Sequence, residues 1–237
     1  MTEGLSPKQI FERRSIPYTY FLLRPVSRVF VPHAARLGMT PNQVTSASIM
    51  VTLIGTAAMA VGGIVPSVVG VLILHLGHLL DLVDGDLARL TGKASRGGEF
   101  LDALGGYLRG AFLLPAIGIG IAGNPDAGHD LFMRLADVPV EGYVYLGFVG
   151  GLIHVSSRLV SLRYRTLIGQ AAWGEGGSLG RAFFVVGDLL LPALAIGSML
   201  QYTSFVLVAY ALLFSVAGVY VAITSYARAV ALPVDEG

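Results

Sequence analysis

Cysteine is missing from this 237-residue chain, which removes disulfides, thiolate metal ligands and cysteine nucleophiles from consideration. Charge is scarce too. Only 13% of the residues are Asp, Glu, Lys or Arg, against 54% hydrophobic, and the mean hydropathy is +0.70. An ordinary soluble domain carries about 25% charged residues, so the composition points to an integral membrane protein. The first residues, Met1 to Arg14, lack an apolar stretch after their basic residues, so a cleaved secretory signal is not expected. Nucleic-acid-binding signatures are absent. The glycine-rich stretch Gly174 to Ser178 lacks the strand and helix context of a phosphate-cradling loop.

Long apolar runs are what the chain has in abundance. A bilayer crossing needs about 20 residues, and six runs approach or exceed that length: Val44 to Val61, Val65 to Leu82, Phe100 to Ala122, Tyr143 to Leu162, Ala182 to Leu200 and Ser204 to Tyr226. Ahead of them, Pro7 to Leu37 interleaves Arg13, Arg14, Arg24 and Arg28 with Phe11, Tyr18, Phe21 and Phe30, the composition of a helix lying along lipid headgroups. The expected fold is an all-α integral membrane protein. It has six transmembrane helices over residues 43–237, preceded by an amphipathic interfacial segment over residues 1–42. Arg89, Lys93, Arg96, Arg158, Arg163, Arg165 and Arg181 fall on one side if six helices alternate, while the loop Asn124 to Gly142 holds four acidic residues against Arg134 alone. The positive-inside rule makes the basic side cytoplasmic, with both termini. A transporter lined by intramembrane charges would predict internal repeats of the apolar segments, and none is visible.

The densest chemistry lies between the second and third runs. Asp81 to Arg89 reads D-L-V-D-G-D-L-A-R, and after eight more residues comes G-E-F-L-D, ending at Asp102. Asp81 and Asp84 lie ~60° apart around a helix. Asp102 arrives from the next helix to close the site across the pair. Carboxylates at the edge of an apolar bundle are costly unless they bind a cation, and hard oxygen ligands suit Mg²⁺ or Mn²⁺. Asp86 points ~200° away from Asp84 and faces elsewhere. Arg109, seven residues after Asp102, lies ~10.5 Å deeper on nearly the same face. It either pairs with Asp188 or reaches an anionic substrate.

These residues resemble the signature of the CDP-alcohol phosphotransferase superfamily, D-x-x-D-G-x-x-A-R, eight residues, then G-x-x-x-D-x-x-x-D. Asp81, Asp84, Gly85, Ala88, Arg89, Gly98 and Asp102 all fall on it. Gly38 to Thr45, G-M-T-P-N-Q-V-T, resembles the family's P-N-x-x-T entry to its first span. The resemblance implies a homodimeric membrane enzyme of phospholipid synthesis. Such an enzyme cleaves the pyrophosphate of a CDP-linked lipid or alcohol donor, passes the phosphoryl-bearing half to an alcohol or phosphoalcohol acceptor and releases CMP. It implies Asp81, Asp84 and Asp102 as metal ligands. Asn42, Thr45, Gly85, Ala88, Arg89 and Gly98 become substrate-binding positions, the small residues leaving a slot for the cytosine ring. Arg109, Arg158 and Arg165 are candidates for substrate phosphates, although Arg158 and Arg165 are equally placed to anchor lipid headgroups.

One position departs from the pattern. The fourth aspartate, which the resemblance makes a second-metal ligand and general base, is Gly106. Glu99, one turn before Asp102, is the first candidate to replace that base, with Asp102 beside it. His75 and His78 are more in keeping with packing, and an unperturbed Tyr107 is a poor base near neutrality. A carboxylate restored at position 106 is expected to meet Arg109 one turn deeper. The alternative to an enzyme is a membrane protein that kept metal and CDP-lipid binding and lost the base.

Overall fold

In a computed structural model the chain is described over residues 18–124, 131–136, 138–168 and 189–230, together with Gly187. The described elements are all helices, with no strand among the described residues. A π-helical turn, Thr19–Leu23, leads into α1 (Arg24–Arg36). Then follow α2 (Pro41–Val61), α3 (Ile64–Thr91), α4 (Arg96–Gly123), the short α5 (Leu131–Ala136), α6 (Val140–Ile168), α7 (Leu190–Leu200) and α8 (Thr203–Val230). Five of these, α2, α3, α4, α6 and α8, are long and apolar enough to cross a membrane. Of the expected fifth run, Ala182 to Leu200, only the apolar α7 and two positions just before it are described.

Local chemistry sets the helix ends around the motif. Thr40 caps α2 with a complete capping box: its hydroxyl accepts from the Gln43 amide at 3.3 Å, and the Gln43 side chain accepts from the Thr40 amide at 2.9 Å. Pro41 then occupies the first helical position, where its missing N–H costs nothing. The third helix runs on past Leu82 to Thr91, so the whole Asp81–Arg89 stretch is helical, and it stops at Gly92 in the left-handed region (φ 65°). Ser95 restarts the chain by accepting from the Gly98 amide at 3.0 Å. The short reversal between Gly92 and Ser95 brings Asp81, Asp84 and Asp102 to the same end of the bundle.

Helix α2 packs against both α3 and α4, whereas α3 and α4 scarcely touch; α4 packs on α6, and α6 on α8. Glycine makes the α2–α3 crossing tight, since a Cβ at Gly55 would fall 2.9 Å from the Gly70 carbonyl oxygen. The Ser48 hydroxyl also donates to the Gly77 carbonyl at 2.9 Å, tying α2 to α3 through a buried polar bond. The main core joins Met59, Leu74, Ile117, Tyr143, Leu194 and Leu207. A smaller cluster of Val31, Ala34, Val44, Val83 and Leu87 holds α1 against the start of α2 and the end of α3. Phe21, Val29 and Phe30 stay exposed on the other side of that leader.

A candidate active site across helix α2

Asp102 is expected to close a site across the α3–α4 pair, and the structure sets Asp81 and Asp102 on one cleft with α2 between their helices. Because both helices lean far more on α2 than on each other, the carboxylates meet across a cleft whose floor is α2. Asp81 from α3 and Asp102 and Arg109 from α4 line that cleft over Thr45, Ser48 and Thr52. The space between these side chains, open to solvent on one side, is about 300 Å³.

Asp84 lies behind this rim. It is buried at 7% exposure, within electrostatic reach of Asp81 and Asp102, with the Thr45 side chain beside it. One of its oxygens, Oδ2, is buried without a hydrogen-bond partner. An orphaned buried carboxylate oxygen is costly, and a cation is the partner that repays it best. Among the described residues no three carboxylate or histidine side chains are already gathered as a ligand set. The donor chemistry nevertheless fits a hard divalent ion that draws Asp81, Asp84 and Asp102 together.

Asp86 has the opposite surroundings. It accepts from Arg24 of α1 at 2.8 Å and from Arg89 at 2.5 Å, and the Ser27 hydroxyl donates to it at 3.4 Å. The motif arginine Arg89 is thus held by Asp86 and arches back over Gly85, where a Cβ would sit 3.3 Å from its Nη2. Ala88, one position earlier, is half-buried. On the other wall Asn42 faces the start of α4: Ser95 Oγ donates to its Oδ1 at 3.4 Å, and a Cβ at Gly98 would fall 2.8 Å from the same oxygen. Gly98 therefore admits the Asn42 side chain. Thr45 reaches into the cleft while also donating to the Pro41 carbonyl at 3.0 Å.

Arg109 lines the cleft and contacts His78 Nδ1 at 3.2 Å; His78 Nε2 in turn lies 3.4 Å from Thr19 Oγ1. His78 therefore joins the leader, α3 and α4. The alternative partner for Arg109, Asp188, lies outside the described residues. Glu99 is exposed on the first turn of α4 and is not on the lining of the cleft. The Arg165 side chain lies outside the described residues.

Arg158 is where the structure adds most. A Cβ at Gly106 would fall 2.5 Å from its Nη1 and 2.8 Å from its Nη2, so the guanidinium from α6 fills the place where the pattern puts its fourth carboxylate. Its centre also stands 5.5 Å from the Tyr107 ring centroid. A carboxylate restored at position 106 meets Arg158 before Arg109. Sequence reading also passed over His154, four residues before Arg158 on the same face of α6, which packs on Gly110 and on the Phe214 ring with a 4.7 Å centroid distance. Its place within electrostatic reach of Arg109 and Arg158 had no signal beyond a four-residue spacing.

The fold and site together define an all-helical membrane protein with a carboxylate-lined cleft near the reversal between two of its long apolar helices. Residues 38–232 match the family model of the CDP-alcohol phosphatidyltransferases, and the chain belongs to that family. It is 38% identical over 86 residues to an archaetidylinositol phosphate synthase of Pyrococcus horikoshii, covering 36% of this chain and 44% of that one. It is also 38% identical over 85 residues to a phosphatidylinositol phosphate synthase of Streptomyces avermitilis, covering 32% of each. The similarity thus spans less than half the length of these curated relatives. A solved apo structure of Mycobacterium tuberculosis phosphatidylinositol phosphate synthase superposes with a TM-score of 0.49 at 17% identity, over 84% of this chain and 95% of that one.

Proposed function

We propose that the chain is a membrane transferase that moves a phosphatidyl or phosphoalcohol group from a CDP-linked donor to an alcohol, releasing CMP, in phospholipid synthesis. The observation that carries this reading is the pair Asp81 and Asp102 facing one cleft over α2, with the orphaned Asp84 oxygen behind them. Asp81, Asp84 and Asp102 would hold Mg²⁺ or Mn²⁺, which when bound neutralises charge on the diphosphate and polarises the phosphorus. The acceptor oxygen forms the new P–O bond, the bond to CMP breaks, and CMP leaves with the electron pair. Asp102 and Glu99 are the carboxylates offered for the hydroxyl proton. Asn42, Thr45, Gly85, Ala88, Arg89 and Gly98 would shape the nucleotide slot. Arg109, Arg158 and Arg165 would offer charge to phosphate. The names of the two relatives favour a phosphoalcohol acceptor of the inositol phosphate kind.

The same reading puts the cleft on the cytoplasmic side with both termini, the leader along the headgroups, a sixth span through Ala182 to Leu200, and two copies in the membrane. A second reading, a CDP-lipid and metal-binding protein without turnover, is favoured by one observation: a guanidinium, not a carboxylate, stands at Gly106. Purified protein given CDP-diacylglycerol, Mn²⁺ and a panel of alcohols and phosphoalcohols decides between them. Release of CMP that Asp102→Asn abolishes supports the transferase. CMP release by neither protein, with CDP-diacylglycerol still bound, supports the second reading.

A further inference from the structure

Two cationic side chains lie near the carboxylates Asp81 and Asp102 of the cleft, with the buried Asp84 behind them. Arg109 lines the cleft beside Asp81 and Asp102. Arg158 lies within electrostatic reach of Arg109, Asp102 and Asp81, with its guanidinium pressed against the backbone at Gly106. Counted formally, Asp81, Asp84 and Asp102 give −3 and the two arginines +2, leaving −1. Before a diphosphate binds, a single divalent ion already overcompensates that charge. A second one would have to sit beside a guanidinium, with no carboxylate at position 106 to hold it, and repulsion between such neighbours is strong in a partly dry cleft.

Building on the transferase reading, we propose that the site takes one divalent cation per chain, and that Arg158 is the fixed second cation facing the diphosphate. The chemistry suits the task. A guanidinium is planar, always charged and able to donate two parallel hydrogen bonds to phosphate oxygens. Arg158 also needs no ion to place it: Tyr107 lies beneath it, and Gly106 leaves the space it fills. It comes from α6, whereas the metal-ligand carboxylates come from α3 and α4. Closure of the site on a diphosphate would therefore join α6 to the two motif helices through a protein group instead of a second exchangeable ion.

The test counts metal and nucleotide in the full-length protein, purified in detergent, without relying on turnover. Equilibrium binding of Mn²⁺ followed by its EPR signal in the presence of CDP should give one Mn²⁺ per chain. Arg158→Ala should leave that count at one and weaken CDP by about 10- to 100-fold, the range for losing a charge-assisted contact to phosphate. Arg158→Lys, which keeps the charge and loses the fork, should fall between the two. Gel-filtration profile and thermal midpoint establish that each variant is folded. A count of two in the wild type, a count of none, or unchanged CDP affinity in both variants overturns the proposal. CMP release measured on the same preparations separates the two levels of the account. One Mn²⁺ with no CMP release removes the transferase reading and leaves Arg158 its role. Two Mn²⁺ with CMP release does the reverse.

Discussion

Asp84 and Asp86 stand two residues apart on one helix and are equally buried, at 7% exposure each, yet the protein treats them in opposite ways. Asp86 is well supplied: Arg24 and Arg89 both donate to it, with the Ser27 hydroxyl shared between it and the Arg24 carbonyl, and through it the leader helix is fastened to α3. Asp84 is left with a bare oxygen behind a cleft that two further carboxylates line. The ~200° between them around the helix sends one to the leader and the other to the cleft. A buried carboxylate with a full set of donors holds structure together, and one held short of donors marks a place kept for something that binds.

The sharpest way to break this comparison is to change each in turn. Asp86→Ala removes the acceptor from the half-buried Arg24 and should cost up to about 3 kcal/mol, the lower end for breaking a buried pair. Thermal unfolding in detergent should show the loss, with the leader the first region to gain hydrogen exchange. Asp84→Asn should do the reverse. It removes an unpaired buried charge, so the thermal midpoint should hold or rise, while Mn²⁺-dependent CDP binding should fall by about 100-fold, the upper range for loss of a charged ligand contact. Equal destabilisation by both variants would erase the distinction. Glu99→Gln gives a third comparison, because Glu99 is a motif-region carboxylate that the cleft does not include. If it serves as general base from its exposed turn, turnover should drop by about 10²- to 10⁴-fold; a drop under tenfold leaves Asp102 as the carboxylate that takes the proton.

A smaller effect is expected at Gly106. Gly106→Ala places a methyl group against the Arg158 guanidinium and should weaken CDP binding modestly, by about tenfold or less, as displacing one hydrogen-bonding group does. Gly106→Asp should give a folded protein in which the new carboxylate pairs with Arg158, not with Arg109. Double-mutant analysis against Arg158→Ala and Arg109→Ala reads this directly, since only the first pair should be strongly coupled.

What the sequence made legible were features that act over one helix turn or follow a fixed spacing. Asp81, Asp84 and Asp102 stood out as a pattern, and the angular argument that turned Asp86 away from them was sound. The long apolar runs marked the five described helices that are long and apolar enough to cross a membrane. Less legible was everything that depends on which helices touch. The intervening floor of α2 could not be inferred from a motif confined to α3 and α4, although Thr45 had been singled out. Arg24 lies 62 residues from Asp86, and His78 lies 31 from Arg109, so neither partnership leaves a local trace. The gap at Gly106 was visible as an absence. That Arg158, from a helix beyond the next loop, fills it is a fact of tertiary packing.

The most direct test of the account is to locate the cation. Anomalous scattering from crystals grown with Mn²⁺ and CDP should place a single peak between Asp81, Asp84 and Asp102, on the cleft side of α3, with Asp86 still bound to Arg24. A peak at Asp86, or none within reach of Asp84, would contradict it.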